Sequence, residues 1–123
     1  MPYPDLRAWI DALDEAGELT HVREEVDWHL EVGAIVRRVY GLKAPAPLFE
    51  RIKGYPEGYR ILGAPIGLSA RPRFARLAIA LDLEPTASAR EIIETYIARK
   101  KRLIPPRVVS DGPCHEHVHV GRM

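Results

Sequence analysis

At 123 residues, 46% hydrophobic and 28% charged, the chain has the length and composition of one globular domain, able to bury about two-thirds of its unfolded surface. A net charge of +1 excludes a general electrostatic pull toward nucleic acid or an anionic membrane, and the single cysteine, Cys114, excludes an internal disulfide framework and fits a reducing compartment. No apolar run approaches the ~18 residues of a membrane span, and the opening MPYPDLRAW lacks the charged and apolar regions of a signal peptide, so a cytoplasmic protein is expected.

The first segment reads as helix, strand, helix. Asp5 is placed to cap a helix, with Leu6, Trp9, Ile10 and Leu13 forming one apolar stripe and Gly17 ending it in the left-handed conformation. From Leu19 to Val26 the period changes to two: Thr20, Val22, Glu24 and Val26 alternate with His21, Arg23 and Glu25, as in a half-buried strand. Asp27 is placed to cap a second helix with Val32, Ile35, Val36 and Val39 inward and Arg37 and Arg38 outward. Gly41 is its expected stop, and Pro45 and Pro47 bar continuation.

The middle predicts strands at Leu48 to Ile52 and Tyr59 to Ala64, joined across the turn-forming GYPEG as a hairpin. Ser69 is the expected cap of a third helix with Phe74, Leu77, Ala78 and Leu81 inside. Ser88 and Glu91 have capping-box spacing and start a fourth helix, with Ile92, Ile93, Tyr96 and Ile97 as its buried face. Arg99, Lys100, Lys101 and Arg102 complement the dipole of its last turn, and Pro105 and Pro106 end it. Arg107 to Ser110 and His115 to Val120 are expected to be extended. No repeat, low-complexity tract or compositional shift marks a second domain. The fold class is α+β: a single small domain, about four helices packed on a short mixed or antiparallel sheet.

Few residues are arranged for chemistry. His115, His117 and His119 alternate, so on a strand they share one face about 6–7 Å apart, a spacing that two or three imidazoles of a zinc site can use with Cys114 or Glu116. No second ligand pair accompanies them, and an exposed edge strand explains the pattern as well. The basic run 99–102, with Arg71 and Arg73, suits a solvated helix end better than a phosphate site. Gly63 and Gly67 lack the Lys-Ser/Thr of a P-loop. Glu24 and Glu25 lie on opposite strand faces, and Asp14 and Glu15 end a helix, so neither pair is placed for acid–base work. The residues alone give a domain with no convincing catalytic, cofactor-binding or metal-binding set.

Several stretches in order carry a family resemblance: DLRAWIDALDEAGEL at 5–19, EVDWHLEVGAIVRRV at 25–39, APLFERIKGYPEGYRILG at 46–63 and SDGPCHEHVHV at 110–120. They resemble the N-terminal domain of the UbiD decarboxylases, whose pattern runs R-x-[FW]-[IL]-x-x-L-x-x-x-G-E-L, then E-V-D-x-x-x-E, then P-x-L-F-E-x-x-K-G-Y-P. LFERIKGYP is the most specific piece. The resemblance implies reversible, non-oxidative decarboxylation of aromatic, heteroaromatic or α,β-unsaturated acids. It also implies prenylated FMN held with manganese and potassium, and a Glu-Arg-Glu set for proton transfer. All of these belong to a central domain that begins about where this chain ends, and no residue here matches them. Residues 1–123 are thus expected to be the N-terminal domain, with the flavin-binding catalytic domain absent from the chain.

Two departures stand out. The family's acidic G-D-D-V-D-L is replaced by Val120, Gly121, Arg122 and Met123, and three histidines occupy a strand that is usually apolar and charged. The leading expectation is an N-terminal portion or small subunit, inactive alone. It would pack through an apolar patch against a UbiD-like catalytic domain or subunit and sit within a homo- or hetero-oligomer. The alternatives are a metal-binding or regulatory module using His115, His117 and His119, and a structural domain that dimerises through a sheet edge.

Overall fold

The structure, a computed structural model, describes residues 3–112 together with Glu116 and Gly121. The elements in chain order are α1 (Leu6–Glu15), β1 (Leu19–Val26), α2 (Glu31–Leu42), β2 (Ala46–Ile52), β3 (Ile61–Leu62), α3 (Ala75–Ala80) and α4 (Ala89–Lys100). The sheet is mixed, in the order β1-β2-β3, with β1 parallel to β2 and β2 antiparallel to β3. A parallel pair needs a crossover, and residues 27–45 with α2 supply it. The hairpin across residues 53–60 forms as expected, with Leu48 opposite Leu62 and Phe49 opposite Ile61.

Helices cover both faces of the sheet. On one side Trp9, Ile10 and Leu13 of α1 and Ile79 of α3 pack on Leu19, Ala46 and Leu48. On the other, Val32, Ile35 and Val36 of α2 pack on Val26, Phe49 and Ile52. Burial on both faces accounts for the nearly unbroken apolar character of β2. It also corrects the simple alternation expected of β1. Leu19 faces the α1 side and Val26 the α2 side, Thr20 and Glu24 are exposed, and the pairing with β2 shifts register between Val22 and Glu25.

Helix ends follow their chemistry, with corrections. Asp5 caps α1, accepting from Ala8 N–H at 2.9 Å. Gly17, at φ 68°, permits a Schellman closure: Gly17 N–H donates to Asp14 C=O at 3.0 Å and Glu18 N–H to Leu13 C=O at 2.8 Å. Leu6, expected inside, is 60% exposed. Asp27 does not cap α2. Its carboxylate accepts from His29 N–H and Lys53 Nζ, each at 2.9 Å, which makes a turn, and the helix begins four residues later. Gly41 lies inside α2, which ends instead on Lys43 in the left-handed conformation. Residues Val32, Ile35, Val36 and Val39 are half-buried as its inner stripe.

The last third departs furthest from expectation. Ser69 caps nothing, because its side chain is buried and turned to Glu18. Of the expected inner face of α3, Ala78 is buried while Phe74, Leu77 and Leu81 are only half-buried, and Ala75, Arg76 and Ile79 complete the face. Ser88 does cap α4, accepting from Glu91 N–H at 3.2 Å. Of the α4 stripe, however, only Ile92 is buried; Ile93, Tyr96 and Ile97 are 57%, 56% and 49% exposed. The stripe is real, but within the described residues nothing lies over most of it. Arg107 to Ser110 joins no strand, and the expected segment His115 to Val120 lies, but for Glu116, outside the described residues.

Leu13, fully buried between α1 and the sheet, and Ile93 should therefore respond differently to truncation. In urea denaturation Leu13→Ala is expected to cost about 2–5 kcal/mol, and Ile93→Ala no more than about 0.5 kcal/mol. Equal losses would show that the α4 face is covered within the domain.

Candidate functional site

The best-organised polar site is structural. Glu18 directly follows the Gly17 turn, so its carboxylate points back under α3. There it accepts from Ser69 Oγ at 2.7 Å and lies 3.6 Å from Arg76 Nε. Arg76 is 0% exposed and Ser69 1%. Arg76 Nη2 donates to Leu68 C=O at 2.6 Å, while Nε and Nη1 have no hydrogen-bond partner among the described residues. Burial pushes the guanidinium below its ordinary pKa, with the Glu18 charge acting against that shift. Although Ser69 Oγ lies within hydrogen-bond reach of the Glu18 carboxylate, all three residues are buried, so the trio fixes the 66–74 loop and α3 to the start of β1. Composition and periodicity concealed Ser69 and Arg76; the visible signal was Glu18 in the Gly17-Glu18-Leu19 sequence.

A second cluster lies on the solvent side of the sheet's α1 face. His21 Nδ1 is 2.7 Å from Glu50 Oε1 and Nε2 is 3.4 Å from Asp14 Oδ2; Arg23 Nε reaches Glu50 Oε2 at 3.7 Å. Hydrogen bonding to Glu50, then to Asp14, raises the His21 pKa. The imidazole bridges two carboxylates at the surface, an ion pair rather than a poised base. Lys53 at 2.9 Å and the His29 N–H likewise hold the Asp27 carboxyl below its usual range.

The residues singled out in the sequence do not converge. Arg99, Lys100, Lys101, Arg102, Arg71 and Arg73 are exposed, as are Glu24, Glu25 and Glu15. Gly63 and Gly67 form no phosphate cradle. A Cβ on Gly63 would come within 2.5 Å of Val36 Cγ2, and one on Gly67 within 3.0 Å of the Tyr40 ring, so both are packing glycines. Cys114, His115, His117 and His119 lie outside the described residues. Among the described residues no group of three or more His, Cys, Asp or Glu is placed to hold a metal ion, and no helix is long and apolar enough to cross a membrane.

Apolar surface is what the domain presents instead. A shallow cleft of about 280 Å³ lies between Trp28, Ile52, Tyr55, Tyr59, Arg60 and Ile61, with the two tyrosine rings 5.6 Å apart. The larger expanse is α4 and the segment after it. Beyond the three helix residues, Leu103, Ile104 and Val108 are 87%, 81% and 91% exposed.

Comparison with known proteins agrees with this geometry. Residues 10–96 match the family profile of the 3-octaprenyl-4-hydroxybenzoate carboxy-lyase N-terminal domain, UbiD_N. The chain is 43% identical over 120 residues to a pyrrole-2-carboxylic acid decarboxylase of Pseudomonas aeruginosa, covering 95% of this chain and 24% of that protein. It is 37% identical over 123 residues to ferulic acid decarboxylase 1 of Saccharomyces cerevisiae, with the same two coverages. Among solved structures, the open form of the vanillic acid decarboxylase of Sedimentibacter hydroxybenzoicus superposes with a TM-score of 0.73 at 30% identity, over 87% of this chain and 22% of that one. The chain thus spans about a quarter of the length of the curated relatives it matches.

Two predictions test the polar clusters. Glu18→Leu strands the buried Arg76 charge and should cost about 3–5 kcal/mol, whereas Ser69→Ala removes one hydrogen bond and should cost about 1 kcal/mol; similar small losses would contradict the junction. For His21 the folded pKa lies above the unfolded one. Its contribution is therefore complete below about pH 6.5 and lost as pH rises through the folded value. The stability gap between wild type and His21→Gln should shrink from about pH 5.5 to about pH 8, by less than about 1 kcal/mol because the pair is a third exposed. A gap that widens with pH would contradict the assignment.

Proposed function

The chain belongs to the UbiD family, through its carboxy-lyase N-terminal domain, and from that premise we propose that it is the non-catalytic N-terminal portion or small subunit of a reversible decarboxylase. The substrates of the complete enzyme are aromatic or α,β-unsaturated carboxylic acids, the class to which the acids named in its relatives belong. The observation that carries this reading is the coverage: 95% of the chain aligns with only 24% of each of these relatives.

Such an enzyme uses prenylated FMN with manganese and potassium, which call for a phosphate cradle and a set of oxygen or nitrogen ligands. Among the described residues no set of three metal-ligating groups is assembled. The two central glycines are packed against Val36 and Tyr40 rather than lining an anion cradle. The buried charge of Arg76 is directed at Glu18 and Leu68. The described residues do not fit these groups. In this proposal the cofactor and both ions belong to the remainder of the enzyme, which is this domain's partner, on the same polypeptide or a separate one, within an oligomer. A cytoplasmic setting suits the single cysteine.

Purified chain mixed with prenylated FMN and passed over gel filtration is expected to retain no flavin absorbance. It is also expected to release no carbon dioxide from pyrrole-2-carboxylate or ferulate. Stoichiometric retention of the flavin, or turnover of either acid by this chain alone, would overturn the proposal.

A further inference from the structure

The proposal above leaves open where the rest of the enzyme sits, and α4 addresses that. At 100° per residue, Ile92, Tyr96, Ile93 and Ile97 fall in that order across an arc of about 140°. Ile92, at one margin, is 9% exposed; stepping away from that margin, Tyr96, Ile93 and Ile97 are 56%, 57% and 49% exposed. With only Ile92 buried, the rest of the stripe is available to a second body. Leu103, Ile104, Val108 and Val109 continue the exposed apolar run along the chain. Arg99, Lys100, Lys101 and Arg102 stand between the two apolar groups and are exposed.

We propose that the α4 face, continued by residues 103–109, is the surface on which the flavin-bearing catalytic portion of a UbiD-like decarboxylase docks, through an apolar groove with a carboxylate-rich rim beside residues 99–102. This rests on the reading under Proposed function. The occupant follows from proportion and charge. Each matched relative carries about three-quarters of its length outside the part this chain covers, so a body several times the size of this domain is available to cover the stripe. Four adjacent cations demand acidic neighbours once they are brought into an interface. The cleft at Trp28, Tyr55 and Tyr59 is the competing surface. It lacks a helix whose apolar stripe is mostly exposed.

The test uses two proteins: the chain itself, and a fusion in which residues 1–123 replace the matching N-terminal quarter of the Pseudomonas aeruginosa decarboxylase. Amide hydrogen exchange is compared between them. Exchange across 89–109 is expected to slow at least tenfold in the fusion, with little change around Trp28, Tyr55 and Tyr59. Ile93→Asp with Ile97→Asp should return 89–109 of the fusion to fast exchange while leaving the isolated chain's urea midpoint unmoved. A folded fusion with 89–109 as fast as in the isolated chain, or with protection moved to the Trp28 cleft, would overturn the docking face and leave the functional reading standing. A fusion that fails to fold would instead count against the functional reading. Protection of 89–109 already present in the isolated chain, with a dimer in sedimentation that Ile97→Asp dissolves, would make a second copy the occupant and overturn the proposal.

Discussion

Glu18 is the residue on which the arrangement of the domain depends. Its N–H donates to Leu13 C=O at 2.8 Å and closes α1; its C=O accepts from Ala46 N–H at 2.8 Å and leads into the parallel pairing of β1 with β2. Its carboxylate receives Ser69 and faces Arg76, which ties down the loop before α3 and α3 itself. One residue thus joins α1, both long strands and α3. Parallel pairing then requires the crossover through α2, and that crossover places the second helical layer on the opposite face. The buried guanidinium is costly without its partner, so this junction is also where the fold is most sensitive to a single change.

With α1 and α3 on one face and α2 on the other, the three layers are complete before α4 begins. That explains how a helix with a proper cap and a clear apolar stripe buries only Ile92. Each fully buried side chain of this size contributes about 1.5–3 kcal/mol, and Ile93, Tyr96 and Ile97 withhold most of that contribution from the isolated domain. The charged clusters at His21, Asp27 and Glu18 are all engaged in holding elements together.

Much of this was legible in the residues. The bounds of β1, the Asp5 and Ser88 caps, the Gly17 closure, the β2–β3 hairpin and the inward face of α2 all follow from local rules that act within a few residues. Three features were not legible, each because it depends on distant parts of the chain. Ser69 and Arg76 look like surface residues until Glu18, fifty-one positions from Ser69, gives them a partner. Asp27 has the chemistry of a helix cap but is captured by Lys53 across the sheet end. The α4 stripe was read correctly as apolar, yet periodicity says which side chains share a face and not whether anything covers it.

A domain built this way has no use for its apolar α4 face in isolation, and its relatives are decarboxylases about four times its length. The account therefore stands or falls on whether these 123 residues can serve as the corresponding quarter of such an enzyme. The direct measurement is the steady-state decarboxylation of pyrrole-2-carboxylate by the fusion with the Pseudomonas aeruginosa enzyme, loaded with prenylated FMN, manganese and potassium. The account predicts a rate within about tenfold of the parent, roughly 1.4 kcal/mol in barrier, because in the proposed reading the exchanged portion is non-catalytic. A folded, flavin-loaded fusion with no detectable turnover would contradict it.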